Sequence, residues 1–213
     1  ASFNIADSLK AYSFYDPTLT PWIVGIVLAV VFLVCISGGG KQIANITAVL
    51  VPVMGVLYLA VTLFVVFTHI SLIPAVFASI FHNAFNFQAI FGGFVGSALM
   101  QGIKRGLFSN EAGIGAAACA AGSAGVSHPA KQGLVQVLSV FIDTIVVCTA
   151  TAMLLLCSGV DPTAEAAGMP FVQQAMAGTL GQFGVIFITV ALFLFAFTTL
   201  LGNFYYAETG LSY

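Results

Sequence analysis

The chain has 213 residues, 60% hydrophobic and 6% charged, with a formal net charge of −2 and a mean hydropathy of +1.10. A soluble domain carries roughly a quarter charged residues, so the composition excludes an ordinary water-soluble fold, and the small net charge does not suggest a nucleic-acid partner. Long unbroken apolar runs, where a β-barrel would show short alternating segments, make this an all-α integral membrane protein.

Residues 1–15, beginning "ASFNIADSLK", read as the tail of a preceding helix. Together with the closing "ETGLSY" they give the reading of an internal piece of a longer protein. The first membrane span is expected over 21–37, "PWIVGIVLAVVFLVCIS", with Trp22 suited to the lipid–water interface. A "GGGK" turn leads to a second span over 46–67, in which Pro52 removes a backbone donor and is expected to kink the helix. A third lies within 87–122, a fourth over 132–157 and a fifth over 183–202, all within one transmembrane domain covering 1–213.

Orientation follows from the few basic residues. Lys41 lies between the first and second spans, and Lys131 with His128 between the third and fourth. Loops 68–86 and 158–182 have no Lys or Arg, and the second holds Asp161 and Glu165. The positive-inside rule puts Lys41 and Lys131 in the cytoplasm, and Lys10 agrees with that alternation. Short apolar pieces such as "IPAVFASIF" in the other loops are expected to be helices on the outer face.

The third segment is longer than the roughly 20 residues that one crossing needs, and its centre is polar. Lys104 and Arg105 precede "GLFSNEAG", after which "GIGAAACAAGSAG" carries hardly any side chain. One reading ends a complete span at Lys104 and Arg105, which puts Lys131 and Lys41 on opposite sides unless the following segment re-enters. The other makes a single crossing from two half-helices with an unwound centre around 108–113. Lipid penalises each unpaired backbone group by several kcal/mol, so such a break belongs where a ligand or ion uses those groups. A second half-helix beginning near Glu111 or Ala112 would aim its N–H groups at a carboxylate, while the first would present carbonyls to a cation. Broken helices at the midplane are the sequence sign of a secondary transporter's binding site. The pairs Gly92/Gly96 and Gly102/Gly106 allow close helix approach, and Gly113 and Gly115 give access to backbone beside the break.

Asp143 sits inside the fourth span, on one helical stripe with Gln132, Gln136 and Ser139. An intramembrane carboxylate is either functional or structural. In the structural case it accepts hydrogen bonds from the broken helix, or pairs with Lys104 or Arg105. Thr198 and Thr199 interrupt the fifth span, where they either bond back to the preceding turn or offer oxygens to a hard cation such as Na⁺. His69, His82 and His128 are loop or interface residues. The four cysteines, Cys35, Cys119, Cys148 and Cys157, lie in apolar runs without metal-ligand spacing and read as packing residues.

Three stretches, "RGLFSNEAGIGAAA", "SHPAKQGLVQ" and "FIDTIVVCTATA", resemble the signature of the alanine or glycine:cation symporters, and "GGGKQIANITAVLVPVM" and "LGNFYYAET" are similar to the same family. The resemblance covers essentially the whole chain. It implies part of a leucine-transporter-type inverted-repeat helical bundle in the amino acid–polyamine–cation superfamily, from a protein about twice this length. It also implies symport of alanine or glycine with a cation, Na⁺ or H⁺, across the cytoplasmic membrane. By that resemblance Phe108, Ser109, Asn110 and Gly113 line the amino acid, with Phe108 capping the pocket. Thr198 and Thr199 hold the cation, Ser2 reaches toward the pocket, and Arg105, Glu111 and Asp143 are structural or gating candidates. Of Na⁺ and H⁺, Na⁺ is the expected coupling ion, and no cofactor, resident metal or obligate protein partner is expected. The alternative is an ion channel with a re-entrant filter at 108–113, while an intramembrane enzyme lacks a nucleophile–base pair or a second intramembrane aspartate.

Overall fold

In the computed structural model the described residues are 2–85, 94–111, 113, 115–160 and 168–211. Asp161, Glu165, Ala112 and the leading part of the third segment, 87–93 with Gly92, lie outside them. All regular structure among the described residues is helical, and the chain divides into two compact units, Ala1–Val65 with Ser158–Tyr213, and Val66–Cys157.

The first unit begins with α1 (Ser2–Ser8) and a 3₁₀ turn (Leu9–Ala11), where the sequence suggested the tail of a helix. Asp16 then prepares the entry to α2 (Leu19–Ile36). Its carboxylate accepts from the Thr18 hydroxyl at 2.6 Å and from the amides of Thr18 and Leu19 at 2.8 and 3.2 Å. These bonds, the hydroxyl's first, hold the Asp16 carboxyl below its ordinary pKa. Helix α3 (Gly39–Thr68) starts earlier than its hydropathy alone indicates and continues through Pro52.

Helix α9 (Met169–Leu211) reaches far beyond the expected 183–202 because two helices join at Gly181, whose φ of 62° and ψ of −148° are non-helical. Only glycine enters that conformation without strain. A side chain at Gly184 would stand 2.5 Å from the Met176 carbonyl, so the second glycine lets the fold-back close. The unit's core joins Ile5 of α1, Leu28 of α2, Ile43 of α3 and Ala196, Phe197 and Leu201 of α9. Gln173 is 5% exposed and donates to the Ser8 carbonyl at 2.7 Å and to Thr189 at 3.0 Å. The Gln173 amide thus ties α9 to the end of α1.

In the second unit, a 3₁₀ turn (Ile70–Leu72) enters α4 (Ile73–Ala84), the short apolar helix expected from "IPAVFASIF". Two short helices follow, α5 (Phe94–Ser109) and α6 (Ala116–Gly122). A longer helical rod then consists of α7 (Pro129–Phe141), a π-helical stretch (Ile142–Cys148) and α8 (Thr149–Cys157). The His128 ring nitrogen caps α7 by accepting from the Ala130 amide at 3.1 Å.

Four helical segments among the described residues are long and apolar enough to cross a membrane: Leu19–Ile36, Gly39–Thr68, Pro129–Cys157 and Met169–Leu211. They correspond to the first, second, fourth and fifth expected spans. Their outward faces are apolar, as lipid requires; Trp22, Ile26, Val30, Leu33 and Val34 of α2 are all exposed. Within the third expected span, 87–122, the described residues form the two helices α5 and α6.

Candidate functional site: a helix break braced by a π-turn

Helix α5 stops at Ser109 and the next helix starts at Ala116. The Asn110 amide still bonds to the Gly106 carbonyl at 3.2 Å, and the Glu111 amide tightens to the Phe108 carbonyl at 3.2 Å. The backbone then leaves the helical region, with positive φ at Glu111 (51°), Gly113 (83°) and Gly115 (88°). Gly115 is the N-cap of α6 and supplies no side chain to its first turn. The next helix therefore begins several residues later than the expected Glu111 or Ala112, because left-handed positions at 111, 113 and 115 cannot continue a right-handed helix. Glu111 carries an ordinary side chain at positive φ, the kind of local strain that clusters at functional sites.

The polar side chains of the break are held by the π-helical stretch. Ser109 Oγ donates to Asp143 Oδ2 at 2.5 Å and lies 3.5 Å from Cys148 Sγ. Thr144 Oγ1 donates to Asn110 Oδ1 at 2.6 Å, and Asn110 Nδ2 donates to the Gly106 carbonyl at 2.9 Å. Ser109, Asn110, Asp143 and Thr144 are all half-buried. Two consecutive residues of one segment thus meet two consecutive residues of the other. Of the alternatives left open for Asp143, the structure has it accepting from the broken helix; among the described residues neither Lys104 nor Arg105 pairs with it. Both basic side chains are exposed on α5.

Elsewhere the expected residues divide. Phe108 is 71% exposed at the end of α5. Gly113 has open space where a side chain would stand. Thr198, on α9 in the other unit, donates to the Leu194 and Phe195 carbonyls at 3.0 Å each, and Thr199 donates to Phe195 at 2.8 Å. Their hydroxyl protons are therefore spent on the preceding turn, while each oxygen retains lone pairs. Ser2 lines a surface hollow of about 230 Å³ with Asp7, Lys10 and Tyr15, where Lys10 pairs with Asp7 at 2.7 Å. Among the described residues no group of His, Cys, Asp or Glu has metal-holding geometry, and all four cysteines are free.

The sequence reading passes over Thr144 and takes Cys148 for a packing residue. On an ideal α-helix Thr144 falls about 100° away from the stripe that contains Asp143, so helical periodicity discards it. The π-turn that brings it to Asn110 leaves no periodic signature.

The family model described as "Sodium:alanine symporter family" matches residues 1–213. The chain is 45% identical over 191 residues to "Amino-acid carrier protein AlsT" of Bacillus subtilis (strain 168), covering 90% of this chain and 41% of that protein. It is 43% identical over 189 residues to "Probable sodium/glutamine symporter GlnT" of the same organism, covering 89% and 40%. It is 38% identical over 212 residues to "Sodium/alanine symporter AgcS" of Methanococcus maripaludis, covering 99% and 46%. The chain thus spans less than half the length of these curated relatives. Apolar spans, a helix broken at a polar centre and a family match over every residue agree: the chain belongs to the sodium:alanine symporter family.

Proposed function

We propose that this chain is part of a carrier in the cytoplasmic membrane that moves a small neutral amino acid, alanine or glycine, inward together with Na⁺ by alternating access. The observation that carries this reading is the interrupted helix, whose Ser109 and Asn110 side chains stand at the break on fixed hydrogen bonds. An unwound segment inside an apolar bundle is worth its cost when it gives a zwitterion partners that lipid cannot. The names of the relatives, which include an alanine and a glutamine symporter, support an amino acid as cargo and Na⁺ as the coupling ion.

In this reading Ser109, Asn110 and the backbone around Gly113 bind the amino acid, and Phe108 limits its size. Thr198 and Thr199 give hydroxyl oxygens to Na⁺, which takes oxygen ligands as other hard cations do. Lys41 and Lys131 face the cytoplasm, in keeping with the positive-inside rule. Within the bundle, the inverted repeat of the leucine-transporter type makes 108–113 one of two broken helices. A channel with a filter at 108–113 is the second reading; it predicts unitary currents that a stoichiometric carrier does not pass.

Cys148 gives a direct test of where the amino acid sits, since its sulfur lies 3.5 Å from Ser109 Oγ and its side chain is exposed. In full-length protein with every cysteine except Cys148 replaced by alanine, alanine plus Na⁺ will slow alkylation of Cys148 by a small thiol reagent. Equal rates with and without alanine would remove the amino acid from this break.

A further inference from the structure

We infer that Asp143 and Thr144, on the π-turn, are positioning residues that set the hydrogen-bond polarity of the break, with Ser109 an acceptor toward the ammonium group of the bound amino acid. The inference rests on the binding reading above and deepens it. Ser109 has one proton, and that proton is committed to Asp143 at 2.5 Å. With that proton committed, the Cys148 thiol at 3.5 Å can only donate to Oγ, and a ligand that reaches the remaining lone pair must likewise be a donor. An ammonium has three donors and a carboxylate none, so this serine selects the amino end of a zwitterion.

Asn110 is fixed by the same logic. Its Nδ2 donates to the Gly106 carbonyl at 2.9 Å, and the flipped amide would set two oxygens against each other there. Oδ1 must therefore turn toward Thr144, whose hydroxyl donates to it at 2.6 Å. One N–H and one Oδ1 lone pair of Asn110 remain for a ligand. The π-turn makes both bonds available at once. Consecutive residues of an α-helix point about 100° apart, whereas the wider turn of Ile142–Cys148 puts Asp143 and Thr144 on consecutive residues of the broken helix. Single π-turns within α-helices occur frequently at functional sites.

The test compares alanine uptake by wild-type full-length protein in liposomes, under a Na⁺ gradient, with Ser109→Ala, Asp143→Asn, their double variant, Thr144→Val and Thr144→Ser. Exchange of the charged acceptor for a neutral amide oxygen, whose bond to Ser109 is roughly half as strong, predicts that Asp143→Asn raises the KM for alanine about tenfold, with the maximal rate per protein far less affected. The double variant will be no worse than Ser109→Ala alone, because Asp143 acts through that serine. Thr144→Val will raise KM, and Thr144→Ser, which restores the hydroxyl, will recover most of the loss. Multiplying effects in the double variant, or a Thr144→Val protein with the KM of wild type, overturns the inference while leaving the carrier reading intact. Absence of saturable uptake in wild type overturns both. Should Asp143→Asn fail to insert, the Thr144 pair decides alone.

Discussion

Replacing Ser109 with leucine in the full-length protein is expected to reduce alanine uptake to background while membrane insertion persists. Two effects act in the same direction. Leucine cannot donate to Asp143, so the carboxylate loses the partner that it has at 2.5 Å. An unsatisfied polar group away from water costs about 1–3 kcal/mol, and more when charged. The substitution also puts an apolar branch where the proposed ligand needs an acceptor. Together these predict a loss of about 100-fold or more in uptake, since each 1.4 kcal/mol is a factor of ten. The measurement is the initial rate of radiolabelled alanine uptake into liposomes, normalised to inserted protein. Unchanged alanine affinity in this variant would take Ser109 out of the binding site.

The second large effect is expected at Gly115, and it is a matter of backbone alone. Its φ of 88° lies in the left-handed region, and nothing stands within 4 Å of the position a side chain would occupy. Collision with neighbours is therefore not the obstacle; the strain of a non-glycine residue at positive φ, about 1–3 kcal/mol, is. Asparagine tolerates that region and is a favoured N-cap, whereas a β-branched residue is the poorest fit. The stability of the inserted protein and its alanine affinity should fall in the order Gly, Asn, Ala, Val. Glu111→Gly should run the other way and relieve strain at φ 51°. Equal behaviour of Asn and Val at position 115 would show that the left-handed conformation does not matter there.

The break was legible because it violates the composition around it. Ser109, Asn110 and Glu111 stand in a run that lipid would otherwise keep apolar, and glycine follows at 113 and 115. What sequence misplaced was the restart of the helix, since the alanines after the break favour a helix on propensity while the positive φ at Gly113 and Gly115 holds it off until Ala116. Asp143 was legible as a lone intramembrane acid, but its partner was not, because a contact 34 residues distant has no local trace. Thr144 was lost for a different reason: a π-turn changes which residues share a face, and a 3.6-residue period cannot anticipate it. The fold-back at Gly181 was hidden in the same way, since one glycine in an apolar stretch reads equally as packing.

Coupling of alanine entry to Na⁺ is open to a single measurement. Full-length protein in liposomes, loaded with choline buffer inside and given Na⁺ outside, will accumulate radiolabelled alanine above its external concentration. The accumulation will collapse when the Na⁺ gradient is abolished. Alanine entry that only equilibrates, at a rate indifferent to Na⁺, would contradict Na⁺-coupled uptake.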